Sequence, residues 1–304
     1  MKSKYPMITF RIHIRPGGLN NPKLSFAYCI EQGLLGVGWP TYLDQGAASW
    51  EEYEAEASKH HNNLNQVRYL KNKVKKNDLI WTRNTEGEYY LARVTSEWEY
   101  LTNSEALDAD IVNIVRCEIL KVPKIDQVPG KVVACFRSPR TMQRIADERM
   151  DIYSRHLWNQ LSGHEHYSSV PNNGGGVFSF LGAEETEDLL FVYLQMMGWL
   201  VIPNSRKADT MSFEFYLIHR ETRERAIIQI KTGNSWLNTN DWTNRSERVF
   251  LFQSNGLYSG NSHPSIECIS PATIQNFMLK NRDLLPLSTI SWMDHVGMSN
   301  ILSE

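Results

Sequence analysis

Hydrophobic periodicity is strongest in the second half of the chain. The segment 183–197 carries apolar residues at the spacing that puts them on one face of a helix, and Gly198 predicts the helix end. A short apolar segment, 199–203, predicts a buried strand. The segments 211–219 and 226–232 alternate apolar and polar residues, which is typical of strands with one buried face. Because the residues between them are polar, we expect these two strands to form an antiparallel hairpin.

One acidic residue of the predicted helix has the phase of its apolar stripe. Glu187 precedes Leu190 and Phe191 by three and four residues, so it lies on the inward side, where a carboxylate needs a partner. The other acidic residues of the first turns have a simpler interpretation, since they complement the positive end of the helix dipole. Glu187 is therefore the candidate functional residue of this helix.

The register of the hairpin decides which polar groups converge. If the turn is centred on Thr222 and Arg223, Glu214 lies opposite Lys231 and shares a face with Gln229. A turn of odd length would direct Glu214 to the opposite face. An exposed cross-strand ion pair between Glu214 and Lys231 is the alternative to a functional site.

This arrangement resembles the PD-(D/E)XK nuclease superfamily, and within it the Mrr-like branch, whose last motif is often Gln-x-Lys. The resemblance covers residues 181–294. It assigns the helix glutamate of the family to Glu187, its metal-binding acid to Glu214 or Asp209, and its final motif to Gln229 and Lys231. The chain departs from the family pattern in two ways: it lacks a clear Pro-Asp dipeptide, and glutamine stands where many members have a second acidic ligand.

The resemblance implies a metal-dependent endonuclease domain, an α/β sandwich around a mixed sheet. Hydrolysis of a phosphodiester requires a divalent cation, which gathers charge on the phosphate and lowers the pKa of the attacking water. Glu214 or Asp209 would bind Mg²⁺ or Mn²⁺, with the Gln229 side-chain oxygen as a neutral ligand and Glu187 bound through water. Lys231 would orient the attacking water or stabilise the developing charge.

The first half of the chain has the pattern of a curved β structure with peripheral helices. Ser49, followed by several glutamates, predicts the start of a helix, whereas residues 24–30 fit either a strand or a short helix. Strands are predicted over residues 7–15, 77–83, 89–94, 111–122 and 131–136, and further helices over 137–145 and 151–161.

This half resembles the PUA-like superfamily, including its EVE-type members, which are small β-barrels that read nucleic-acid bases, often modified ones. The resemblance rests on a Gly-x-Gly-Trp turn at residues 36–39 and on the strands at 76–81 and 89–94. It implies that a base is held between aromatic rings. The candidate walls, each of which also fits a core position, are Trp39, Trp81, Tyr90 and Trp98.

Composition indicates where the two halves meet. The Pro-Asn-Asn-Gly-Gly-Gly segment at 171–176 is the clearest linker, so we predict domains at 1–163 and 179–304 joined by a linker at 164–178. The net charge of −2 conceals a basic excess in the first half and an acidic excess in the second. Lysines at the end of a predicted helix, Lys73, Lys75 and Lys76, suit contact with nucleic acid or form a solvated helix end.

The chain has no apolar run near the length of a membrane span, so we expect a cytoplasmic protein without membrane contact. Together, the two resemblances imply a nuclease that reads a modified base in DNA and cuts nearby, as a modification-dependent (type IV) restriction enzyme in phage defence would. Cutting both strands needs two active sites, which favours a homodimer. The alternatives are a non-catalytic reader with a degenerate nuclease domain, and an RNA-directed nuclease.

Overall fold

The computed structural model describes residues 7–17, 21–43, 49–168, 176–202 and 212–298. Contacts within the chain form two compact units, Met1–Val170 and Pro171–Glu304, called unit 1 and unit 2 below. The division falls within the predicted linker, of which residues 169–175 lie outside the described ranges. The architecture is mixed α/β, with a curled half-barrel sheet in unit 1 and a mixed sheet in unit 2.

Unit 1 is organised around its curled sheet. Its described strands are β1 (Thr9–Ile12), β2 (Leu34–Val37), β3 (Leu79–Arg83), β4 (Tyr89–Val94), β5 (Glu99–Tyr100), β6 (Asn113–Lys121) and β7 (Met142–Arg144). Its described helices are α1 (Pro22–Gln32), α2 (Trp50–His60), α3 (Asn65–Lys73), α4 (Ser104–Asp108), α5 (Gly130–Cys135) and α6 (Glu148–Ser162). The strand order is β2-β6-β4-β3-β1-β7, with β5 paired to β6; β1 runs parallel to β3 and antiparallel to β7.

Local signals explain the helices at the start of this unit. Residues 24–30 are helical because Pro22 occupies the first turn of α1, where its missing N–H is not needed, and the Asn21 side chain caps the helix start. Gly33 ends α1 in the left-handed region at φ +61°. Ser49 caps α2 as predicted, in a reciprocal capping box with Glu52. The hairpin of β3 and β4 is also confirmed.

Two predictions between residues 131 and 145 were wrong. The apolar segment 131–136 forms the helix α5 and not a strand, and residues 137–145 are not helical but contain the strand β7. Both depend on the distant strand β1. The Arg11 side chain donates to the Cys135 carbonyl at the end of α5, and the His13 N–H donates to the Thr141 carbonyl at 2.7 Å. A local pattern does not contain these contacts, so propensity was overridden by tertiary structure.

Unit 2 contains a mixed sheet and a separate pair of short strands. Its described strands are β8 (Trp199–Val201), β9 (Phe215–His219), β10 (Arg225–Lys231), β11 (Leu237–Asn238), β12 (Arg248–Gln253), β13 (Tyr258–Ser259) and β14 (Ile266–Ile269). Its described helices are α7 (Ala183–Met196), α8 (Pro271–Lys280) and α9 (Leu287–His295). The sheet order is β14-β12-β10-β9-β8, with β10, β12 and β14 parallel and β11 paired to β13.

The sheet of unit 2 buries both faces, and α7 covers only one of them. The ring of Phe191 on α7 lies edge-on to Phe215, at 5.8 Å between centroids. The other face carries Ile227, which packs in an apolar cluster with Leu237 and Trp242. Side chains alternate along β10, so the motif residues Gln229 and Lys231 share the Ile227 face, away from α7.

Among the described residues, no helix is both long and apolar enough to cross a membrane.

Candidate functional site

The register of β9 against β10 brings the predicted acid beside the predicted glutamine. Phe215 lies opposite Ile228, and the Glu214 N–H donates to the Ile228 carbonyl at 2.8 Å. Glu214 is therefore opposite Gln229. The prediction that Glu214 faces Lys231 was wrong by two positions.

The error comes from the centre of the turn. His219 N–H donates to the Glu224 carbonyl at 2.9 Å, which centres the turn on Glu221 and Thr222. The His219 Nδ1 atom also accepts the Thr222 N–H at 3.2 Å. Because a shift of two residues preserves the face of every side chain, Glu214 still shares a face with both motif residues.

Glu214 and Gln229 are joined by a side-chain hydrogen bond. The Gln229 Nε2 donates to Glu214 Oε1 at 2.7 Å and to the Ile230 carbonyl at 3.2 Å. Gln229 is 5% exposed, whereas Glu214 is half-buried. The amide NH₂ is committed to these acceptors, so the amide oxygen takes no part in the contact with the carboxylate.

Lys231 extends this pair toward an open cavity. It follows Gln229 by two residues on the same face, at the carboxyl end of β10, and is exposed. Its ammonium has no ion-pair partner within the described ranges. The cavity has a volume of about 450 Å³, and Glu214, Gln229 and Lys231 all line it.

The backbone after Lys231 is held by polar side chains from the end of β12. The Gly233 carbonyl accepts Gln253 Nε2 at 2.7 Å and Asn255 Nδ2 at 2.8 Å. Its N–H donates to Ser254 Oγ at 3.2 Å. Gly233 has a φ of +69°, which favours glycine. These contacts fix the direction in which the chain leaves the motif.

Three further residues of the cavity lining were not predicted from the sequence. Asp241, Trp236 and Arg245 line it together with the motif. Asp241 lies in a short turn, where Asn238 Nδ2 approaches its Oδ1 at 3.5 Å. Trp236 is 62% exposed. No periodic pattern marks these residues, because they lie in connections; their polar and aromatic types shortly after Gln-x-Lys were the only signal.

Arg245 adds a second cation to the cavity. Its guanidinium lies over the Trp242 ring at 5.7 Å, and its Nη2 donates to Ser212 Oγ at 2.7 Å. Trp242 is buried, so the ring holds the arginine in place. The cavity therefore presents two carboxylates and two cations, together with an exposed indole.

The remaining predicted nuclease residues do not line this cavity in the described structure. Glu187 is half-buried on α7, the helix that packs against the opposite face of the sheet. Asp209 lies outside the described residues. Within the described ranges, no group of three or more His, Cys, Asp or Glu side chains is arranged to hold a metal ion.

The donor set at the cavity nevertheless fits a hard divalent cation. Glu214 and Asp241 supply carboxylate oxygens, and Gln229 supplies an amide oxygen. Mg²⁺ keeps several water ligands and needs only one or two carboxylates from the protein. The described lining contains neither cysteine nor histidine, so its chemistry suits Mg²⁺ or Mn²⁺ better than a thiophilic metal.

In unit 1, the structure removes one of the predicted base-stacking residues. Trp81 is fully buried, and its Nε1 donates to Ser154 Oγ on α6 at 2.9 Å. Its ring therefore has no exposed face on which a base could stack. Trp81 is therefore a core residue, which was the alternative interpretation of this position.

Two of the other aromatic residues lie around a buried amide. Asn113 Nδ2 donates to the Gly38 carbonyl at 2.6 Å and to the Tyr53 hydroxyl at 2.9 Å, and Asn113 Oδ1 accepts Trp98 Nε1 at 3.2 Å. The Trp39 carbonyl accepts the Tyr53 hydroxyl at 2.9 Å. Trp39 has a φ of +64°, a strained conformation for a bulky residue.

The other residues of unit 1 that were predicted to contact nucleic acid do not surround Asn113. Tyr90 packs against Phe26, with the ring centroids 5.2 Å apart. Lys73, at the end of α3, and Lys75 and Lys76, in the turn that follows, are exposed. The predicted base-binding residues therefore divide between the surroundings of Asn113 and the side of Phe26.

Comparison with known proteins bears on unit 1 alone. A family described as a domain of unknown function, DUF8426, matches residues 14–111, which is less than half of the chain. No curated protein and no solved structure matches the chain. The chain is thus similar to DUF8426 from the end of β1 to the residues before β6, and the match does not reach the cavity of unit 2.

Proposed function

We propose that this protein is a metal-dependent endonuclease that acts on DNA carrying modified bases, with hydrolysis at the cavity of β10. The observation that supports this most is the contact between Glu214 and Gln229 on the face that also presents Lys231. A carboxylate, an amide and an ammonium on one strand edge are the groups that phosphodiester hydrolysis uses. The resemblance to PD-(D/E)XK nucleases supports the same assignment.

Each group at the cavity has a defined role in this proposal. Glu214 and Asp241 would hold Mg²⁺ or Mn²⁺, and the Gln229 amide oxygen would be a neutral ligand. The cation, when bound, would gather negative charge on the phosphate and lower the pKa of the attacking water. Lys231 would contact the phosphate and stabilise the charge that develops during attack. Glu187 and Asp209 stay further predicted ligands.

Gln229 has a second role as a positioning residue. Its NH₂ group fixes Glu214 Oε1 through a hydrogen bond of 2.7 Å. A metal-binding carboxylate is commonly oriented in this way by a neighbouring donor. Glutamine at this position therefore keeps the site to few negative charges while holding Glu214 in place.

Recognition of the base would belong to unit 1. Trp39 and Trp98 are half-buried around Asn113, so part of each ring is accessible. The Gly38 and Trp39 carbonyls flank the strained backbone of Trp39, and they accept hydrogen bonds from Asn113 and Tyr53. Such contacts are expected where a ring must keep a set orientation. An unstacked base could lie against such a ring.

The biological context of the proposal follows from the sequence. A nuclease that cuts DNA only when it is modified would act in the bacterial cytoplasm against phage, as type IV restriction enzymes do. A homodimer would supply one active site for each strand. The resemblance to PUA-like domains, not the DUF8426 match, supports this part.

Cleavage of modified DNA tests the proposal. Phage DNA containing modified cytosines and the same DNA without modification are incubated with Mg²⁺ or Mn²⁺ and wild-type protein, Lys231→Ala or Lys280→Ala. Lys280 is exposed at the end of α8 and does not line the cavity. We expect cleavage of modified DNA by the wild type and Lys280→Ala, and a loss of about 100-fold or more in Lys231→Ala.

A second candidate function is a non-catalytic reader of modified DNA. The observation that favours it is Gln229 itself, because its NH₂ group and not its oxygen faces Glu214. This candidate predicts that every DNA stays intact with either metal, while modified DNA binds equally to the wild type and Lys231→Ala. Cleavage of RNA in place of DNA would assign the same cavity to an RNA substrate.

A further inference from the structure

The alternation of β1 places basic residues on one face of the sheet in unit 1. Arg11, His13 and Arg15 recur at every second position, so they point to the same side. Arg11 lies beside Trp81 in the parallel pairing of β1 with β3. Arg83, at the end of β3, lines the same cavity as His13 and Arg15. The ends of two adjacent strands therefore bring three arginines and a histidine together.

Arg11 is the buried member of this group, and none of the ion pairs among the described residues involves it. Its side chain is fully buried. The guanidinium donates to the backbone carbonyls of Arg140 and, at 2.8 Å, Cys135, with longer contacts of 3.4 Å to Thr141 and Ser138. Carbonyl oxygens accept from both of its terminal nitrogens, whereas its buried Nε has no hydrogen-bond partner in the described structure. These carbonyl oxygens carry no net charge. The positive charge of Arg11 therefore acts on the neighbouring side chains.

His13 reports this positive environment. It is 6% exposed, and its Nε2 lies 3.2 Å from the Phe136 carbonyl. Burial, together with the charges of Arg11, Arg15 and Arg83, lowers the pKa of His13 to about 4. All the charged side chains that shift this pKa are cationic. The imidazole is therefore neutral at physiological pH and does not add to the positive charge.

The Phe136 ring contacts two of the arginines and His13. The Arg83 guanidinium lies 4.9 Å and the Arg11 guanidinium 5.5 Å from the centroid of its ring, and His13 meets the ring edge-on at 5.0 Å. The ring contributes cation–π attraction to each arginine. Arg83 Nη1 also donates to the Tyr89 hydroxyl at 3.3 Å.

The group opens into a cleft at the surface. A cavity of about 390 Å³ is lined by His13, Arg15 and Arg83, and Arg15 is exposed. One carboxylate, Glu86, also lines it, but Glu86 pairs with Lys23 at 2.6 Å. The charge that faces the cleft is therefore positive, and it would be neutralised by an anion.

An aromatic surface continues from this cleft. Phe26 lines the cleft and also a neighbouring cavity, which is lined by Tyr90. Tyr90 packs against Phe26 and keeps a partly exposed ring. A cationic cleft beside an aromatic ring has the composition of a surface that binds the backbone and bases of a nucleic acid.

We propose that the cleft of His13, Arg15 and Arg83 binds a phosphate group of a nucleic-acid backbone. The planar guanidinium groups of Arg15 and Arg83 match the geometry of phosphate oxygens. The proposal rests on the proposed function only in taking nucleic acid as the partner, because it requires neither metal nor cleavage. The same chemistry would accept a free phosphate or a nucleotide, and the experiment separates these sources.

Binding of a fluorescein-labelled oligonucleotide is measured by anisotropy in EDTA at several salt concentrations, so that cleavage plays no part. The full chain is compared with an Arg15→Gln/Arg83→Gln double variant. The control is Arg68→Gln/Arg116→Gln, because these arginines of unit 1 are paired with Glu54 and Glu99. We expect the cleft variant to bind at least about 10-fold more weakly, with a salt dependence shallower by about one contact, and the control to bind as the wild type does.

A single charge reversal at an exposed position separates a loss of binding from a loss of folding. Arg15 is exposed, so Arg15→Glu should leave the thermal unfolding midpoint unchanged while it weakens binding. Equal affinity and equal salt dependence in the wild type, the double variant and Arg15→Glu would overturn the proposal.

The source of the phosphate is tested with inorganic phosphate and a nucleoside monophosphate. Each is added while the imidazole resonances of His13 are followed by NMR, with His13→Gln to assign them. If these small anions perturb His13 and the double variant abolishes the effect, but oligonucleotide affinity is the same in all variants, the cleft binds a free anion and the backbone assignment is wrong.

Discussion

The two candidate sites both lie at the ends of central strands, yet their charges are balanced in different ways. At the ends of β1 and β3, the cationic side chains of the cleft are arginines beside a neutral imidazole, and the buried Arg11 donates to carbonyl oxygens. At the end of β10, Glu214, Asp241, Lys231 and Arg245 line one cavity. Apart from Glu86, which pairs with Lys23, the charges of the first site have one sign, whereas the second site has both.

This difference separates binding from chemistry. A site of one sign attracts a phosphate strongly but offers no group that could activate water. A site of both signs can hold a cation on its carboxylates and a phosphate on its basic groups. The mixed site would bind DNA weakly by itself, because its charges largely cancel. The comparison therefore predicts that substitutions at the first site change affinity and stability, and those at the second site change turnover.

The largest effect is expected from removing the buried charge of unit 1. Arg11→Met should lower the free energy of unfolding by about 4 kcal/mol, because several buried carbonyl groups lose a charged donor. Urea unfolding followed by far-UV circular dichroism measures it. Arg116→Met, in an exposed ion pair with Glu99, should cost less than about 1 kcal/mol. An equal loss of unfolding free energy in the two variants would show that the buried contacts of Arg11 do not stabilise the protein.

The next effect concerns turnover at the mixed site. Under the proposed function, Glu214→Gln should reduce the rate of cleavage about 100-fold with little change in DNA affinity, because it removes the charge proposed to hold the cation and not a phosphate contact. Asp241→Asn should raise the Mg²⁺ concentration needed for half-maximal rate. Glu224→Gln, an exposed change in the same hairpin, is the control. A normal rate in Glu214→Gln would place hydrolysis elsewhere.

The smallest effect is a pH dependence of stability that comes from His13. Its pKa falls from an ordinary 6.5 to about 4 in the fold, chiefly by burial, so between these values the unfolded chain binds a proton that the folded chain does not. Stability is therefore complete above about pH 6.5 and declines as the pH falls, by about 2 kcal/mol at about pH 5. His13→Gln should remove this decline between pH 7 and 4.5, as measured by urea unfolding. An unchanged slope would mean that His13 is not held neutral.

The sequence predicted the parts of the site that lie on one periodic element. The Gln229-x-Lys231 spacing placed both residues on one face of β10, and the alternation of β9 placed Glu214 with them, even though the register was wrong by two. The same alternation was visible in Arg11, His13 and Arg15, but a strand pattern alone does not show which charges lack an acidic partner.

Residues in connections could not be predicted in this way. Asp241 and Trp236 reach the cavity because β11 and the turn after it are held against the end of β12, through contacts such as Tyr258 with Gln253. The segment predicted as a strand at 131–136 forms α5, and the Cys135 carbonyl at its end accepts a hydrogen bond from Arg11, more than a hundred positions earlier. Such contacts join residues that no local window contains.

The sequence alone determined the secondary structure of the periodic segments, the side of each strand that its polar residues occupy, and the Gln-x-Lys motif. These follow from backbone geometry and apolar burial, which act over a few residues. The tertiary structure decided which charges are neutralised and which are not. It buried Trp81, paired Glu86 with Lys23, left Arg15 and Arg83 facing a cleft, and brought Asp241 to the cavity that Glu214 lines. Electrostatic balance depends on distances between side chains that are remote in the chain, and only the folded structure fixes those distances.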